Sequence, residues 1–230
     1  MNPSRTYWRT HWNNLHDAGH RHNERSWVEF YAHELMLYFP LHKTRVIDLG
    51  CGTGTLYAAM SDHFASYVGI DFSPSMLREF SLAWPQVRLI CGDIADLPIR
   101  TDAGQYDFCF SNQVCQYLSE DALSEHMSQV YHLLEGGGTY LIGNIPDRHL
   151  RLFHYAGLLR PDIRMSWLSF ARRISEVFLL KRDDGIGYWH TRRTVHDIAL
   201  RNGFSCRTFS SASYEYRFHA LLQKNEPDDH

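Results

Sequence analysis

The stretch Val46-Ile47-Asp48-Leu49-Gly50-Cys51-Gly52-Thr53-Gly54-Thr55 constrains the fold most: an apolar run enters a loop with glycine at every second position and leaves it as a helix. Without side chains at 50, 52 and 54, backbone can close on a ligand, and the helix that follows offers it free N–H groups. Such a strand–loop–helix unit opens a parallel sheet that binds at its carboxyl edge. An isolated Gly-x-Gly serves equally well as a tightened strand-to-helix turn. The acid two residues ahead of the first glycine shifts that balance. Pyrophosphate loops read Gly-x-Gly-x-x-Gly, whereas here the third glycine comes one residue early and Asp48 puts negative charge beside the loop. That charge repels pyrophosphate and suits a ligand carrying an ammonium and a sulfonium.

From residue 45 onward short apolar runs alternate with amphipathic or turn-bounded stretches, the pattern of an open sheet covered on both faces. Strands are expected at Arg45–Leu49, Tyr67–Asp71, Val87–Cys91, Phe108–Asn112, Thr139–Asn144, Cys206–Ser210 and Tyr216–Gln223. Thr55–Phe64 should be a helix, followed by one over Ser73–Ala83 with Ser73 as cap and Pro74 in its first turn. A third should run from the Ser119 cap to Leu134, stopped by Gly136-Gly137-Gly138, and a fourth from Thr191–Thr194 to Asn202-Gly203. The last two strands are joined by Ser211–Glu215 alone, too short for a crossover helix, so they form a hairpin. The expected fold is therefore α/β: a doubly wound seven-stranded sheet, mostly parallel with an antiparallel C-terminal hairpin strand, helices on both faces and a helical lid insertion.

The organisation read from this is an N-terminal helical and aromatic arm over the cofactor site (1–43), a ligand-binding core (44–145), a helical lid that holds the acceptor (146–190), the closing helix and hairpin (191–224) and a disordered tail (225–230). A chain of 230 residues, 44% hydrophobic, can bury one full core. Lys plus Arg total 23 against 26 Asp plus Glu, a net charge of -3, so no global basic field recruits nucleic acid. Five cysteines without a Cys-x-x-Cys pair read as reduced core thiols. With no export-type N-terminus and no apolar run of about 18 residues, the expectation is a cytoplasmic protein without a transmembrane segment.

Asp71 closes Val68-Gly69-Ile70-Asp71, where an acid can accept two ribose hydroxyls, and Asp93 follows the third strand in Cys91-Gly92-Asp93-Ile94, where an acid can accept an adenine amino group. Either alone is an ordinary turn residue or an NAD-type acid. Three acids at the carboxyl ends of three consecutive strands form a set.

Through Val46–Thr55, Tyr67–Leu77, Cys91–Ile94, Tyr106-Asp107-Phe108 and Leu133–Gly138 the chain resembles the class I S-adenosylmethionine-dependent methyltransferases, over roughly residues 44 to 145 and again at 191 to 224. The resemblance implies that Asp48 and the backbone of Gly50, Cys51 and Gly52 hold the methionine moiety and Asp71 the ribose. Phe72 and Met76 would line the adenosine, and Asp93 with Ile94 would take the adenine. Ser111, Asn112 and Gln113, with Tyr117 beyond, would lie beside the methyl group. Trp8, with Tyr7 and Trp12, either closes on the sulfonium by cation–π contact or anchors the arm. The implied cofactor is S-adenosylmethionine, with S-adenosylhomocysteine as product. Glu135-Gly136-Gly137 departs mildly from the family's usual Lys- or Arg-Pro-Gly-Gly.

Methyl transfer is an in-line displacement that needs a nucleophile placed about 3 Å from the methyl carbon and water excluded. An alcohol acceptor wants a base, for which His190, His149 and His154 are the candidates, with Tyr188 as an alternative orienting group. Ser111-Asn112-Gln113-Val114-Cys115 offers amides and a thiol rather than an acidic set, so no metal is expected. The segment Arg148–Arg182 carries eight Lys plus Arg against two acids, with an apolar stripe at Ile163, Trp167, Phe170, Ile174 and Val177. It reads as a packed lid with a solvated basic face, or as a surface for an anionic acceptor or for peripheral membrane contact. The acceptor is read as a small molecule or glycan methylated on O or N; the oligomeric state is not legible. Against this stand a non-catalytic S-adenosylmethionine-binding module and an oxidoreductase with a degenerate loop, which Asp48 opposes.

Overall fold

The computed structural model describes residues 25–39, 44–98, 104–157 and 186–225, with residues 159 and 175. Tyr7, Trp8 and Trp12 of the arm, the apolar stripe at 163–177 and residues 226–230 of the tail lie outside the described residues.

Seven strands form one sheet in the order β3-β2-β1-β4-β5-β7-β6. They are β1 (Thr44–Leu49), β2 (Phe64–Asp71), β3 (Arg88–Cys91), β4 (Tyr106–Asn112), β5 (Leu134–Pro146), β6 (Phe204–Ser210) and β7 (Arg217–Lys224). β1 to β5 run parallel, and β7 pairs antiparallel with both β5 and β6, as the short 211–215 connection requires. The mixed α/β architecture is the one read from the sequence.

Six α-helices accompany the sheet among the described residues: α1 (Arg25–Met36), α2 (Thr55–Met60), α3 (Pro74–Ala83), α4 (Glu120–Leu133), α5 (Arg151–Ala156) and α6 (Arg192–Arg201). The two N-caps placed from sequence are made, Ser73 accepting from the Met76 N–H and Ser119 from Ala122, and the last helix is capped in the same way by Thr191, which accepts from Thr194. These caps each stabilise a helix start by about 1 kcal/mol.

Alternation along the strands divides the core. Ile47, Cys109, Tyr140, Phe218 and Ala220 pack beneath α4 and α6 with Leu123, Met127, Val195 and Ile198. On the opposite face Val46, Phe108, Phe110 and Leu141 meet Tyr31, Leu35 and Phe39 of the N-terminal segment and Phe80 of α3. The N-terminal helix is therefore a layer of the fold, not an appended arm. Each fully buried Leu or Phe contributes about 2 kcal/mol relative to exposure. At the amino end of the sheet Arg45 binds Asp107 through its backbone N–H (2.7 Å) and its guanidinium, which also reaches Glu135.

Three expectations change. The helix after the glycine loop ends at Met60 and gives way to a 3₁₀ turn, Ser61–His63, because β2 starts three residues earlier than expected. The glycines 136–138 do not stop α4, which ends at Leu133; they carry β5 past a register shift between Tyr106/Leu134 and Phe108/Thr139, with Gly137 at φ 75°. Cys51, Cys109 and Cys115 are buried thiols, whereas Cys91 is exposed and Cys206 half-buried.

Candidate functional site

The glycine loop sits at the carboxyl end of β1 and is tied to β2 from below. Gly50 and Cys51 both donate to the Ile70 carbonyl, at 2.7 and 3.1 Å. Gly50 and Gly54 have φ of 96° and 81°. A Cβ at Gly50 would come within 2.3 Å of Val114 Cγ2, and one at Gly54 within 2.6 Å of the Phe80 ring. At Gly52 it would meet nothing nearer than Met76 Sδ at 3.8 Å, so the loop is open there.

Asp48 is 3% exposed; its Oδ2 accepts the Tyr67 hydroxyl at 2.7 Å, while Oδ1 has no hydrogen-bond partner among the described residues. Burial pushes its pKa up to about 8, opposed by the Tyr67 hydrogen bond and reinforced by the charge of Asp71. Asp71 is also buried and its pKa raised for that reason; its oxygens accept the N–H groups of Gly52 (2.9 Å) and Ser73 (2.8 Å). Each oxygen retains a lone pair. Asp93 is exposed and accepts the Ala95 N–H at 2.9 Å, the turn-forming bond its position permits, while Ile94 is buried and Phe72 half-buried beside it.

Behind the carboxyl end of β4 runs a buried hydrogen-bonded chain. His126 Nδ1 lies 2.6 Å from the Ile94 carbonyl, so it bears the proton, and Nε2 therefore accepts from Tyr140 Oη at 2.8 Å. Tyr140 then accepts from Ser111 Oγ at 2.8 Å. Burial lowers the His126 pKa to about 4, which keeps the ring neutral. Ser111, expected beside the methyl group, has its hydroxyl turned into this chain and is 1% exposed. Asn112 Oδ1 accepts from Asn144 Nδ2 at 3.4 Å, and Gln113 donates to Tyr214 Oη at 3.0 Å, which carries these two toward β5 and β7. Tyr117 ends the 3₁₀ turn Cys115–Tyr117.

β5 bulges beside them. Ile142 pairs Ala220 but Ile145 pairs Phe218, so one extra residue is accommodated, and Asn144 takes φ 57°. The bulge brings together Glu34 of α1 and His219 of β7, 2.9 Å apart, with Glu34 also taking Ser213 Oγ and the N–H groups of Ala212 and Ser213. Burial works against the Glu34 charge, but these donors hold its pKa below the usual value; burial also lowers His219. Arg217 donates to Gln116 Oε1 and the Asn144 carbonyl, both at 2.7 Å.

The segment 186–190 is fastened across this edge: Tyr188 N–H to the Gln116 carbonyl (2.6 Å), His190 N–H to the Pro146 carbonyl (3.0 Å) and Arg148 N–H to the His190 carbonyl (2.9 Å). His190 is 1% exposed, its ring stacked on Tyr188 at 6.4 Å, and burial lowers its pKa, so the imidazole is neutral. His149 is exposed on the turn that Asp147 caps, and His154 packs against Tyr216 at 4.0 Å. The histidines thus occupy three different environments. Sequence reasoning missed Glu34, Gln116, Asn144, Arg217 and His219; the one local sign was two basic residues, Arg217 and His219, spaced to share a face at the start of β7 before its apolar run Ala220–Leu222.

Among known proteins, a family profile described as "Methyltransferase domain" matches residues 46–138. The chain is similar to the probable non-canonical nonribosomal peptide synthetase CymA of Salinispora arenicola, 36% identical over 189 residues that make up 76% of this chain and 2% of that protein. It is 32% identical over 117 residues to the 18S rRNA (guanine-N(7))-methyltransferase of Bos taurus, covering 46% of this chain and 41% of that one. It spans less than half the length of each of these curated relatives. The crystal structure of magnesium protoporphyrin IX methyltransferase from Synechocystis PCC 6803 with bound SAM has the same fold, with a TM-score of 0.62, 18% identity and 96% of each chain covered.

Proposed function

Because the chain belongs to the class I S-adenosylmethionine-dependent methyltransferases through the domain at 46–138, we propose that it transfers the methyl group of S-adenosylmethionine to a small-molecule or glycan-type acceptor, on O or N. The observation that carries this reading is the unpaired Oδ1 of buried Asp48 beside the open backbone of Gly52.

The residues fit the cofactor. Asp48 Oδ1 has no hydrogen-bond partner among the described residues and is left for an ammonium, whose pairing would draw the proton off the carboxyl. Asp71 holds Gly52 in place while keeping lone pairs for ribose hydroxyls, and Phe72, Met76, Asp93 and Ile94 surround the adenosine position. The bound cofactor supplies an activated methyl group on a good leaving group. The protein's part is to aim the acceptor, with Asn112, Gln113 and Tyr188 at the rim, and to exclude water. His190, neutral and buried, is a base that stays unprotonated at neutral pH; His149, exposed, is left the weaker candidate.

The acceptors named for the relatives differ, and an rRNA enzyme is among them, so the charge balance alone no longer sets nucleic acid aside. The reading is tested by calorimetric titration with S-adenosylmethionine, S-adenosylhomocysteine and NAD. Micromolar binding of the first two supports it; binding of NAD alone overturns it. Methyl transfer to an acceptor panel, lost in Asp71→Ala, separates an enzyme from a binding module.

A further inference from the structure

Arg217 opens β7 at 3% exposure, and no carboxylate lies within ion-pair distance of it among the described residues. A buried, uncompensated guanidinium costs several kcal/mol. Buried Glu34 is already occupied by Ser213, Ala212 and His219, and buried Asp147 by the His149 N–H and Arg192.

The guanidinium is held by one end. Nη1 makes both strong bonds, to Gln116 Oε1 and to the Asn144 carbonyl at 2.7 Å each, and the rings of Tyr214 and Tyr216 lie 5.1 Å from its carbon. Nη2 has only a 3.4 Å contact to Tyr216 Oη, and Nε has no partner. The Nε–Nη2 edge is the one that grips a planar carboxylate with two parallel N–H···O bonds. Gln116 Nε2 and Asn144 Oδ1 are likewise buried without partners, so two unsatisfied atoms stand on the residues that Arg217 itself binds, besides its own Nε. Native proteins leave few such atoms.

Backbone geometry marks the same place. Gln113 (φ 56°) and Asn144 (φ 57°) are the non-glycine residues of positive φ among those described. Such strain costs of order 1–3 kcal/mol each and gathers at functional sites. Gln116 lies in the 3₁₀ turn that directly follows Val114, whose side chain lies against Gly50 of the glycine loop.

We propose that the Nε–Nη2 edge of Arg217, supported by Gln116 Nε2, is a subsite for a carboxylate on the methyl acceptor, which makes the acceptor a carboxylic acid. This rests on the methyltransferase reading. The competing role is a bulge clamp, in which Arg217 serves only the Asn144 carbonyl.

Both are separated by the Arg217 Nε–H resonance of the whole, ¹⁵N-arginine-labelled protein saturated with S-adenosylhomocysteine and assigned by its loss in Arg217→Lys. Benzoate, hexanoate and succinate are titrated against benzamide, hexanamide, succinamide and inorganic phosphate at constant ionic strength. A saturable downfield shift with at least one acid, absent with its amide, is expected, and Gln116→Leu should weaken that acid about tenfold or more, in line with loss of one charge-linked hydrogen bond. The wild-type titration decides the matter even where Gln116→Leu does not fold. The subsite is overturned if no acid moves the resonance, if amides move it equally, or if phosphate alone does. Failure of S-adenosylhomocysteine to bind would instead remove the underlying reading.

Discussion

The carboxylate of Asp71, at the end of β2, accepts the N–H of Gly52 at 2.9 Å from 19 residues further along the chain. The contact makes this acid the fastening of the glycine loop, and in the proposed cofactor site the same acid would also take the ribose. Asp71→Asn keeps an acceptor for one N–H but removes the charge, whereas Asp71→Ala removes both. We expect S-adenosylhomocysteine affinity to fall about tenfold in the first and a hundredfold or more in the second, on the scale of one or two charge-assisted hydrogen bonds. Calorimetry on both variants checks the order; equal losses would mean that the loop geometry alone matters.

Asp48 predicts a pH dependence. With its pKa near 8 in the free protein, the carboxyl is protonated at neutral pH and must ionise to hold an ammonium. Affinity for S-adenosylmethionine should therefore climb as pH rises from 6 toward 8, by up to about tenfold per unit, and level off above. A folded-state pKa raised above the unfolded value means that the folded protein binds the extra proton, so stability falls as pH rises between about 4 and 8. Asp48→Asn should lose cofactor affinity, flatten that slope and melt higher than wild type at pH 8. A variant that melts lower at pH 8 would contradict the burial argument.

The chain from Ile94 through His126 and Tyr140 to Ser111 joins the turn after β3 to the end of β4. Tyr140→Phe strands His126 Nε2 in a dry interior, at a cost of about 1–3 kcal/mol. For His126 itself the folded pKa, about 4, lies below the unfolded value. Its contribution is thus complete above about pH 6.5 and is lost as pH falls toward 4. Urea denaturation at pH 7 and pH 5 should show that His126→Gln removes part of the wild-type acid sensitivity.

Gly50→Ala meets two obstacles, a φ of 96° and a contact of 2.3 Å with Val114. It should cost about 1–3 kcal/mol from the backbone term alone and abolish cofactor binding. Adding Val114→Ala relieves the contact but not the φ, so the double variant should recover part of the stability. Full recovery of both properties would show that φ is not limiting.

What could be read before folding was what is local along the chain. Glycine at 50, 52 and 54, the caps Ser73 and Ser119, and the short apolar runs that became β4 and β7 act within a few residues, so strand order along the chain and the closing hairpin were legible. The glycines 136–138 misled because glycine permits positive φ without saying whether it ends a helix or bends a strand; pairing with β4 decided that. The family resemblance put Ser111 beside the methyl group, while the fold bonds its hydroxyl to Tyr140.

By itself, the sequence determined the sheet, its donor loop and three acids at successive strand ends, since each is set by short-range backbone preference and alternation. Tertiary structure alone decided the charge state of Asp48, because burial is a property of everything packed around it. It alone also gathered Arg217 with Gln116 and Asn144, 101 and 73 residues away. Desolvation and unsatisfied hydrogen bonds exist only once distant segments have excluded water together.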